Sequence, residues 1–251
     1  MSSYGSHGHG GKPEAISCLS CYLSALCIPQ GLSSEEVTLL DEMVFPPIRL
    51  EKRDVLCRQE APFDSLYAVR SGALKQETAV EGSENLLTAF WLPGDIIGCD
   101  AIGRGRYPGS VIALETTTLC KLPFGRFEAL MQRLPELRTH LQRNISRAIH
   151  DERVSLHQLL SRTAEARLAF FLMTVSSCFR RRGYSPRQFR LPMSRNEIGS
   201  YLGLTQETVG RMLSAFQAQG LLQVQGRDYH LLDLARLERL ASSTGRRQKR
   251  P

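Results

Sequence analysis

The sequence contains no long apolar run. Hydrophobic residues make up 42% of the 251-residue chain, but no stretch approaches the roughly 20 apolar residues that span a bilayer. Residues 1–17 also lack the apolar centre of a signal peptide, and we expect them to form a disordered leader. These absences predict a cytoplasmic protein with no membrane partner, in which the seven cysteines stay reduced.

Acidic residues are also in short supply. The chain has 25 Asp and Glu against 32 Lys and Arg, a net charge of +7. This excess suits a polyanionic partner such as nucleic acid, although basic runs are often only solubilising surface. The basic residues concentrate between 180 and 195 and again in a tail over 243–251. The sequence shows no Gly-rich cofactor loop and no recognisable pairing of a nucleophile with a base, so we expect no enzymatic activity.

Three cysteines stand close together near the amino terminus. Cys18, Cys21 and Cys27 follow a C-x2-C-x5-C spacing within a segment over 18–31. Thiols spaced this closely in a chain without secretory features favour a metal over a disulfide. Three ligands leave a tetrahedral zinc or a four-iron cluster one short, so a fourth should come from elsewhere in the chain. The competing interpretation is that these are incidental buried cysteines.

Residues 32–133 predict a β-roll. A short helix over 32–42 comes first, with Ser33 or Ser34 as its cap. Short alternating strands then follow, separated by glycine turns such as Ser71-Gly72. The strand candidates are IRLEKR, SLYAVR, ALKQET, LLTAFWL, VIALE and TTLCKL. Pro123 ends this region, and a short helix over 126–133 connects it to the next.

Residues 134–162 predict one long helix with an apolar stripe. Its stripe positions are Ile145, Ile149, Leu156 and Leu159, at spacings of 4, 7 and 3. Glu152 falls in the middle of the stripe. If two such helices paired in parallel, two carboxylates would face each other and make the dimer marginal, as a switch requires. Packing of the stripe against its own domain is the alternative.

Residues 163–242 predict a winged helix–turn–helix. Ser194 and Glu197 form a capping box, and a Gly203-containing turn leads to a second helix that Thr205 caps. A hairpin turning at Gly226 follows as the wing. The whole chain is therefore α+β: an N-terminal β-roll, a long helix and a C-terminal winged helix–turn–helix.

The second helix of this motif carries the residues suited to reading bases. Arg211 can bond guanine through two atoms, and Glu207 can accept from cytosine. The wing residue Arg227 and the preceding arginines can neutralise phosphates. The predicted DNA-binding set is Gln206, Glu207, Gly210, Arg211, Ser194, Thr205 and Arg227. An interaction helix without DNA is the competing interpretation.

This order of elements resembles the CRP/FNR family of bacterial transcription regulators, from Cys18 to the wing. Several stretches are similar to its FNR (fumarate and nitrate reduction) branch. Besides the N-terminal cysteines they are SLYAVRSGALK, PGDIIGCDAIG, ALETTTLCKLPF, RRGYSPRQFRLPMSRNEIGSYLGLT and ETVGR. The resemblance implies an oxygen-labile four-iron four-sulfur (4Fe–4S) cluster on Cys18, Cys21, Cys27 and Cys120. The residues alone do not favour Cys120 over Cys57, Cys99 or Cys178.

The resemblance also implies a mechanism and partners. An intact cluster favours a DNA-binding homodimer, oxygen releases the monomer, and genes for low-oxygen metabolism respond. Ile149 matches a dimer-helix position, and Glu152 stands where the family has an aspartate. The loop bearing Glu81, Ser83 and Glu84 matches a surface that touches RNA polymerase, although a solvated turn would look the same.

Two departures from the FNR pattern bear on specificity. The branch reads a palindromic site with half-sites near TTGAT through E-x-x-S-R, whereas this chain has Glu207, Gly210 and Arg211 in an E-x-x-G-R pattern. Tyr22 follows Cys21 where a small residue is common, and we hypothesise that its ring shields the cluster from oxygen.

The sequence also bears on other kinds of sensor and on a different class of protein. The segment GCDAIGRGRYPGSVIAL lacks the phosphate-binding arginine of cyclic-nucleotide receptors, so a cyclic nucleotide is an unlikely ligand. No histidine lies between residues 10 and 139, which disfavours haem. The remaining alternatives are the same scaffold with structural or thiol-sensing zinc and, from another class, an electron-transfer or enzymatic iron–sulfur protein.

Overall fold

A computed structural model describes residues 17–79, 82 and 85–243. The first helix is α1 (Ser34–Asp41). Ser33 caps it: the Ser33 hydroxyl accepts from the Glu36 amide, and the Glu36 carboxylate accepts from the Ser33 amide. These reciprocal bonds satisfy amides that the first turn leaves without partners, which is why the helix begins there.

Two four-stranded antiparallel sheets then form the predicted β-roll. The strands are β1 (Ile48–Leu50), β2 (Val55–Cys57), β3 (Ser65–Ser71), β4 (Leu74–Thr78), β5 (Leu86–Trp91), β6 (Ile96–Ile97), β7 (Ser110–Ala113) and β8 (Thr117–Pro123). One sheet has the order β1-β8-β3-β6 and the other β2-β7-β4-β5. Leu74, Ile97 and Leu119 are fully buried between them. All six strand candidates contain a strand, whereas β2 and β6 were missed because each has only two or three residues.

One strand candidate was too long. IRLEKR was expected to run from 48 to 53, but β1 ends at Leu50. Arg53 takes a positive φ of 78°, and the Glu51 amide donates to the Asp54 carboxylate at 2.8 Å. A residue in the left-handed region cannot continue a strand, so the chain turns here and returns as β2.

Helices follow the roll. The helix α2 (Phe124–Arg133) begins two residues before its predicted start, and α3 (Pro135–Ser161) follows at once with proline at its first position. At 27 residues α3 is about 40 Å long. Leu137 and Leu141 near its start pack into the core of the roll, while Ile149 and Leu156 farther along are 47% and 57% exposed. The first half of α3 therefore packs against its own domain and the second half presents an apolar stripe.

The C-terminal region forms the predicted winged helix–turn–helix. Its elements are α4 (Ala164–Arg181), β9 (Gln188–Arg190), α5 (Arg195–Leu202), α6 (Gln206–Ala218), β10 (Leu222–Gln225), β11 (Asp228–Leu231) and α7 (Leu234–Ser242). Ile198, Val209 and Leu213 are buried in the core that α5 and α6 share. The wing is a three-stranded sheet of order β10-β11-β9, with the hairpin turn at Gly226.

This region packs directly on the second sheet of the roll. Leu87 and Leu92 share one apolar core with α4, α5 and α6. Lys75 on β4 forms ion pairs with Glu77 at 2.7 Å and with Glu197 of α5 at 2.8 Å. Glu197 thus caps α5 with one carboxylate oxygen and accepts from the roll with the other. No helix in the described residues is long and apolar enough to cross a membrane.

Candidate metal centre and nucleic-acid interface

Four cysteines line one small cavity between the cysteine segment (residues 18–31) and the first sheet of the roll. Cys18, Cys21 and Cys27 reach it from the segment, and Cys120 reaches it from β8. All seven cysteines of the chain are free thiols. The structure therefore brings together the four positions that the family resemblance had selected. Cys57, Cys99 and Cys178 lie elsewhere.

The cysteine segment is a succession of turns rather than a helix or strand. The Ser24 amide donates to the Cys21 carbonyl at 3.0 Å, and the Cys27 amide donates to the Leu23 carbonyl at 2.9 Å. Leu23 and Ile28 are 2% exposed and fix the segment to the roll. Cys120, by contrast, lies on a regular strand opposite Ala68 of β3. One thiol is thus on a rigid support and three are on a loop held by two apolar contacts.

Two polar contacts complete the attachment of the segment. Asp41, at the end of α1, accepts from the Cys18 amide and the Ser17 hydroxyl, each at 2.7 Å. The Tyr22 hydroxyl donates to the Arg70 carbonyl at 2.6 Å. The Tyr22 ring is 61% exposed and is not among the residues that line the cavity. Its hydroxyl ties the segment to β3, and shielding of the centre by the ring stays a prediction.

Burial disfavours the ionised form of these thiols. It raises the pKa of Cys27 to about 12 and also raises the pKa of Cys18, where the Asp41 carboxylate adds to the effect. Burial likewise raises the pKa of Cys120, and the Arg70 guanidinium acts in the opposite direction. Thiolates here would need a bound cation, which a metal centre supplies.

The donor set fits a metal–thiolate centre, although the side chains are not arranged around a metal ion. In the described part of the chain, no three His, Cys, Asp or Glu side chains are grouped as ligands of one ion. The four sulfurs nevertheless share one apolar cavity. One nitrogen of Arg70, which also lines it, is buried without a hydrogen-bond partner among those residues. Four soft thiol donors beside a guanidinium with one unpaired nitrogen suit a negatively charged metal–sulfur group.

The cysteine cavity and the long helix share one apolar core. Cys18, Cys27 and Cys120 pack against the same cluster of buried side chains as Leu137 and Leu141 of α3. Tightly packed interiors transmit small shifts rather than absorb them. A change in the cysteine segment can therefore reach the base of α3 through direct contact.

The predicted dimer stripe is accessible in the single chain. Ile149, Leu156 and Leu159 are 47%, 57% and 38% exposed, and Glu152 is exposed among them. Ile145 differs, because it is half-buried against the core that holds the cysteines. Leu160, at 79% exposed, is an apolar residue that the sequence analysis did not assign to the stripe.

The helix–turn–helix presents its predicted base-reading residues on an open cleft. Gln206, Glu207, Gly210 and Arg211 line it with Arg195 and Ser214. Thr205 caps α6, its hydroxyl accepting from the Thr208 amide at 3.1 Å. Ser194 caps α5 in the same way, accepting from the Glu197 amide at 3.2 Å. Arg227 is half-buried at the wing turn. Glu81, Ser83 and Glu84 lie outside the described residues.

Gly199 lets α5 approach the turn before α6. A Cβ built on Gly199 would lie 2.6 Å from the Leu204 carbonyl oxygen, closer than real Cβ contacts. Backbone cannot yield as a flexible side chain can. A Cβ on Gly210, by comparison, would meet only Arg195 Nη1, at 3.8 Å. The first glycine is required by packing and the second is not.

The variants Gly199→Ala and Gly210→Ala should therefore change stability in opposite directions. We expect Gly199→Ala to lower the free energy of unfolding of the helix–turn–helix region by about 2 kcal/mol, since overpacking forces the turn to move. Gly210→Ala should raise it by about 0.5 kcal/mol, as alanine favours a helix interior. Thermal unfolding of both variants measures this, and equal stabilities would show that the close approach at Gly199 is unimportant.

A β-roll, a long helix with an exposed apolar stripe and a winged helix–turn–helix define a DNA-binding regulator. Comparison with known protein families supports this classification. Residues 166–240 match the Crp-like helix-turn-helix domain family, and residues 47–134 match the cyclic nucleotide-binding domain family. The chain belongs to the CRP/FNR family of bacterial transcription regulators, in its FNR branch. It is a transcription regulator and not an enzyme.

The similar proteins cover most of the chain. The transcriptional activator protein Anr of Pseudomonas aeruginosa is 45% identical over 224 residues, which is 89% of this chain and 92% of that protein. The fumarate and nitrate reduction regulatory protein of Escherichia coli is 40% identical over 230 residues, 92% of each chain. The solved structure of FixK2 from Bradyrhizobium japonicum has a TM-score of 0.72 at 26% identity, covering 80% of this chain and 99% of that one. DNA binding and a dimeric state follow from this membership.

Proposed function

We propose that this protein is an oxygen-responsive transcription regulator whose homodimer binds DNA while Cys18, Cys21, Cys27 and Cys120 hold a 4Fe–4S cluster. The observation that carries the proposal is the single cavity lined by these four thiols. Support also comes from the names of its relatives, a transcriptional activator and a fumarate and nitrate reduction regulator. When bound, such a cluster supplies a centre that oxygen can destroy.

The protein's own residues carry the consequences of that centre. The cysteine segment is tied to the roll by Asp41 and Tyr22, and the cysteines pack on the same core as the base of α3. Loosening the segment would disturb Leu137 and Leu141 and so the direction of α3. Glu152 in the stripe makes the dimer depend on small changes of this kind. We propose Ile145, Ile149, Leu156 and Leu159 as its remaining contacts.

For the DNA partner we propose a palindromic site with half-sites near TTGAT. Arg211 and Glu207 face the open cleft with no side chain on Gly210 between them. Ser194, Thr205, Gln206 and Arg227 complete the proposed contacts. Binding would take place in the cytoplasm and would control genes for low-oxygen metabolism, with RNA polymerase contacting the loop that bears Glu81, Ser83 and Glu84. A cyclic nucleotide is not part of the proposal, since the family's phosphate-binding arginine is missing.

Anaerobic purification followed by exposure to air tests the proposal. We expect iron and acid-labile sulfide in about equal amounts, close to four of each per chain. Visible absorption should then fall on exposure to air, together with the dimer mass and the affinity for a TTGAT palindrome. The zinc alternative makes the opposite forecast. A colourless protein that contains zinc, and whose dimer mass does not change on exposure to air, would refute the oxygen-sensing mechanism.

A further inference from the structure

Arg70 occupies an irregular position beside the cysteine cavity. It lies near the end of β3, where Val69 pairs with Leu119 and Ser71 pairs with Thr118 of β8. Arg70 is therefore the extra residue of a β-bulge, without a partner in the strand that carries Cys120. Bulges redirect a side chain from its regular face and are frequent next to functional sites. Here Arg70 lines the same cavity as the four thiols.

The guanidinium of Arg70 is incompletely paired. Its Nη1 is buried and has no hydrogen-bond partner among the described residues. A buried cationic donor left unpaired costs free energy, so folded proteins rarely keep one without a use. The surroundings of Arg70 are thus suited to a negatively charged group in the cavity.

We propose that Arg70 is the charge partner of the metal–thiolate centre, giving it a hydrogen bond from Nη1 and offsetting its negative charge. This inference rests on the proposed cluster, since four thiolates around iron and sulfide form an anionic group. Arg70 is not a ligand. It is a positioning residue that holds the bound centre and adjusts its reduction potential.

The proposal predicts effects of opposite sign with and without the centre. In the metal-free protein Arg70 Nη1 is a buried donor without a hydrogen-bond partner among the described residues, so Arg70→Met should leave the unfolding temperature unchanged or raise it. With the centre bound, the same change removes a favourable interaction. If the role of Arg70 were purely structural, Arg70→Met would destabilise the protein equally with and without the centre.

The test compares Arg70→Met and Arg70→Lys with Arg49→Met. Arg49 is a matched control because it lies on the same sheet but is 72% exposed and paired with Glu51 at 3.0 Å. We expect anaerobic loss of iron to a chelator to be about tenfold faster in Arg70→Met. Its reduction potential should fall, by about 59 mV if the one-electron equilibrium shifts tenfold. Arg70→Lys should be intermediate, and Arg49→Met should match wild type.

Three results would overturn the assignment. If Arg70→Met and Arg49→Met lose iron equally fast and at equal potentials, Arg70 does not partner the centre. If Arg70→Met is destabilised to the same extent with and without metal, its role is structural. If the anaerobic wild-type protein itself contains no iron and sulfide, the proposed cluster and this inference both fail, and that result is seen before any variant is made.

Discussion

Replacing Cys120 with serine should lower the affinity for the metal centre by at least about a hundredfold, which leaves the anaerobically purified protein without its cluster and its DNA affinity at that of wild-type protein exposed to air. Loss of a residue that only hydrogen-bonds to a ligand already lowers metal affinity by up to about a hundredfold, and loss of a ligand itself lowers it further. Cys120 is the one thiol of the four on a regular strand, opposite Ala68 of β3. The other three lie on turns whose position depends on Leu23 and Ile28. Without Cys120, the cysteine segment loses the one proposed ligand that a regular strand holds in place.

Cys99→Ser is the matched control for this prediction. Burial raises the pKa of Cys99 to about 12, so it resembles the cavity thiols in its surroundings. It lies in the short turn Cys99–Ala101 and does not line the cavity. Iron, sulfide, dimer mass and DNA affinity should therefore match wild type. If Cys120→Ser kept wild-type iron and sulfide, or if Cys99→Ser lost them, the assignment of the fourth ligand would be wrong.

The elements predicted correctly are those whose sequence signals are local. The capping box at Ser194, the cap at Thr205 and the wing turn at Gly226 each occur where the sequence predicted them. In each of them a side chain or a special backbone angle acts within a few residues of itself. The strands β2 and β6 were missed because two or three residues carry no periodicity.

The contacts around the cysteine cavity were not predictable in the same way. The carboxylate of Asp41 and the amide of Cys18 are 23 positions apart in the sequence, and the hydroxyl of Tyr22 and the carbonyl of Arg70 are 48 apart. Arg70 itself reads as the polar end of an apolar strand, and only the bulge in the β3–β8 pairing directs it to the thiols. Lys75 and Glu197 likewise meet only because the helix–turn–helix packs on the roll. Such pairs depend on tertiary packing, which one sequence does not encode locally.

Substituting Glu152 with leucine should strengthen dimerisation by at least about tenfold and make it independent of oxygen. Glu152 is exposed within the stripe formed by Ile149 and Leu156, on the half of α3 that does not pack on the roll. Two carboxylates brought together on a parallel seam repel each other, whereas leucine at such a position adds apolar contact. A gain of about 1.4 kcal/mol corresponds to a tenfold change in the dimer dissociation constant. Sedimentation equilibrium in air, on protein free of metal, measures the constant directly.

Asp151→Leu is the control, since Asp151 is the exposed neighbour one position before Glu152 and lies about 100° away around the helix. It removes the same charge and adds the same apolar side chain, but off the stripe. We expect it to leave the dissociation constant within about twofold of wild type. If both variants tightened the dimer equally, general charge or hydrophobicity would explain the effect. If neither did, α3 would not pair through this stripe, and control of dimerisation would have to lie elsewhere than at Glu152.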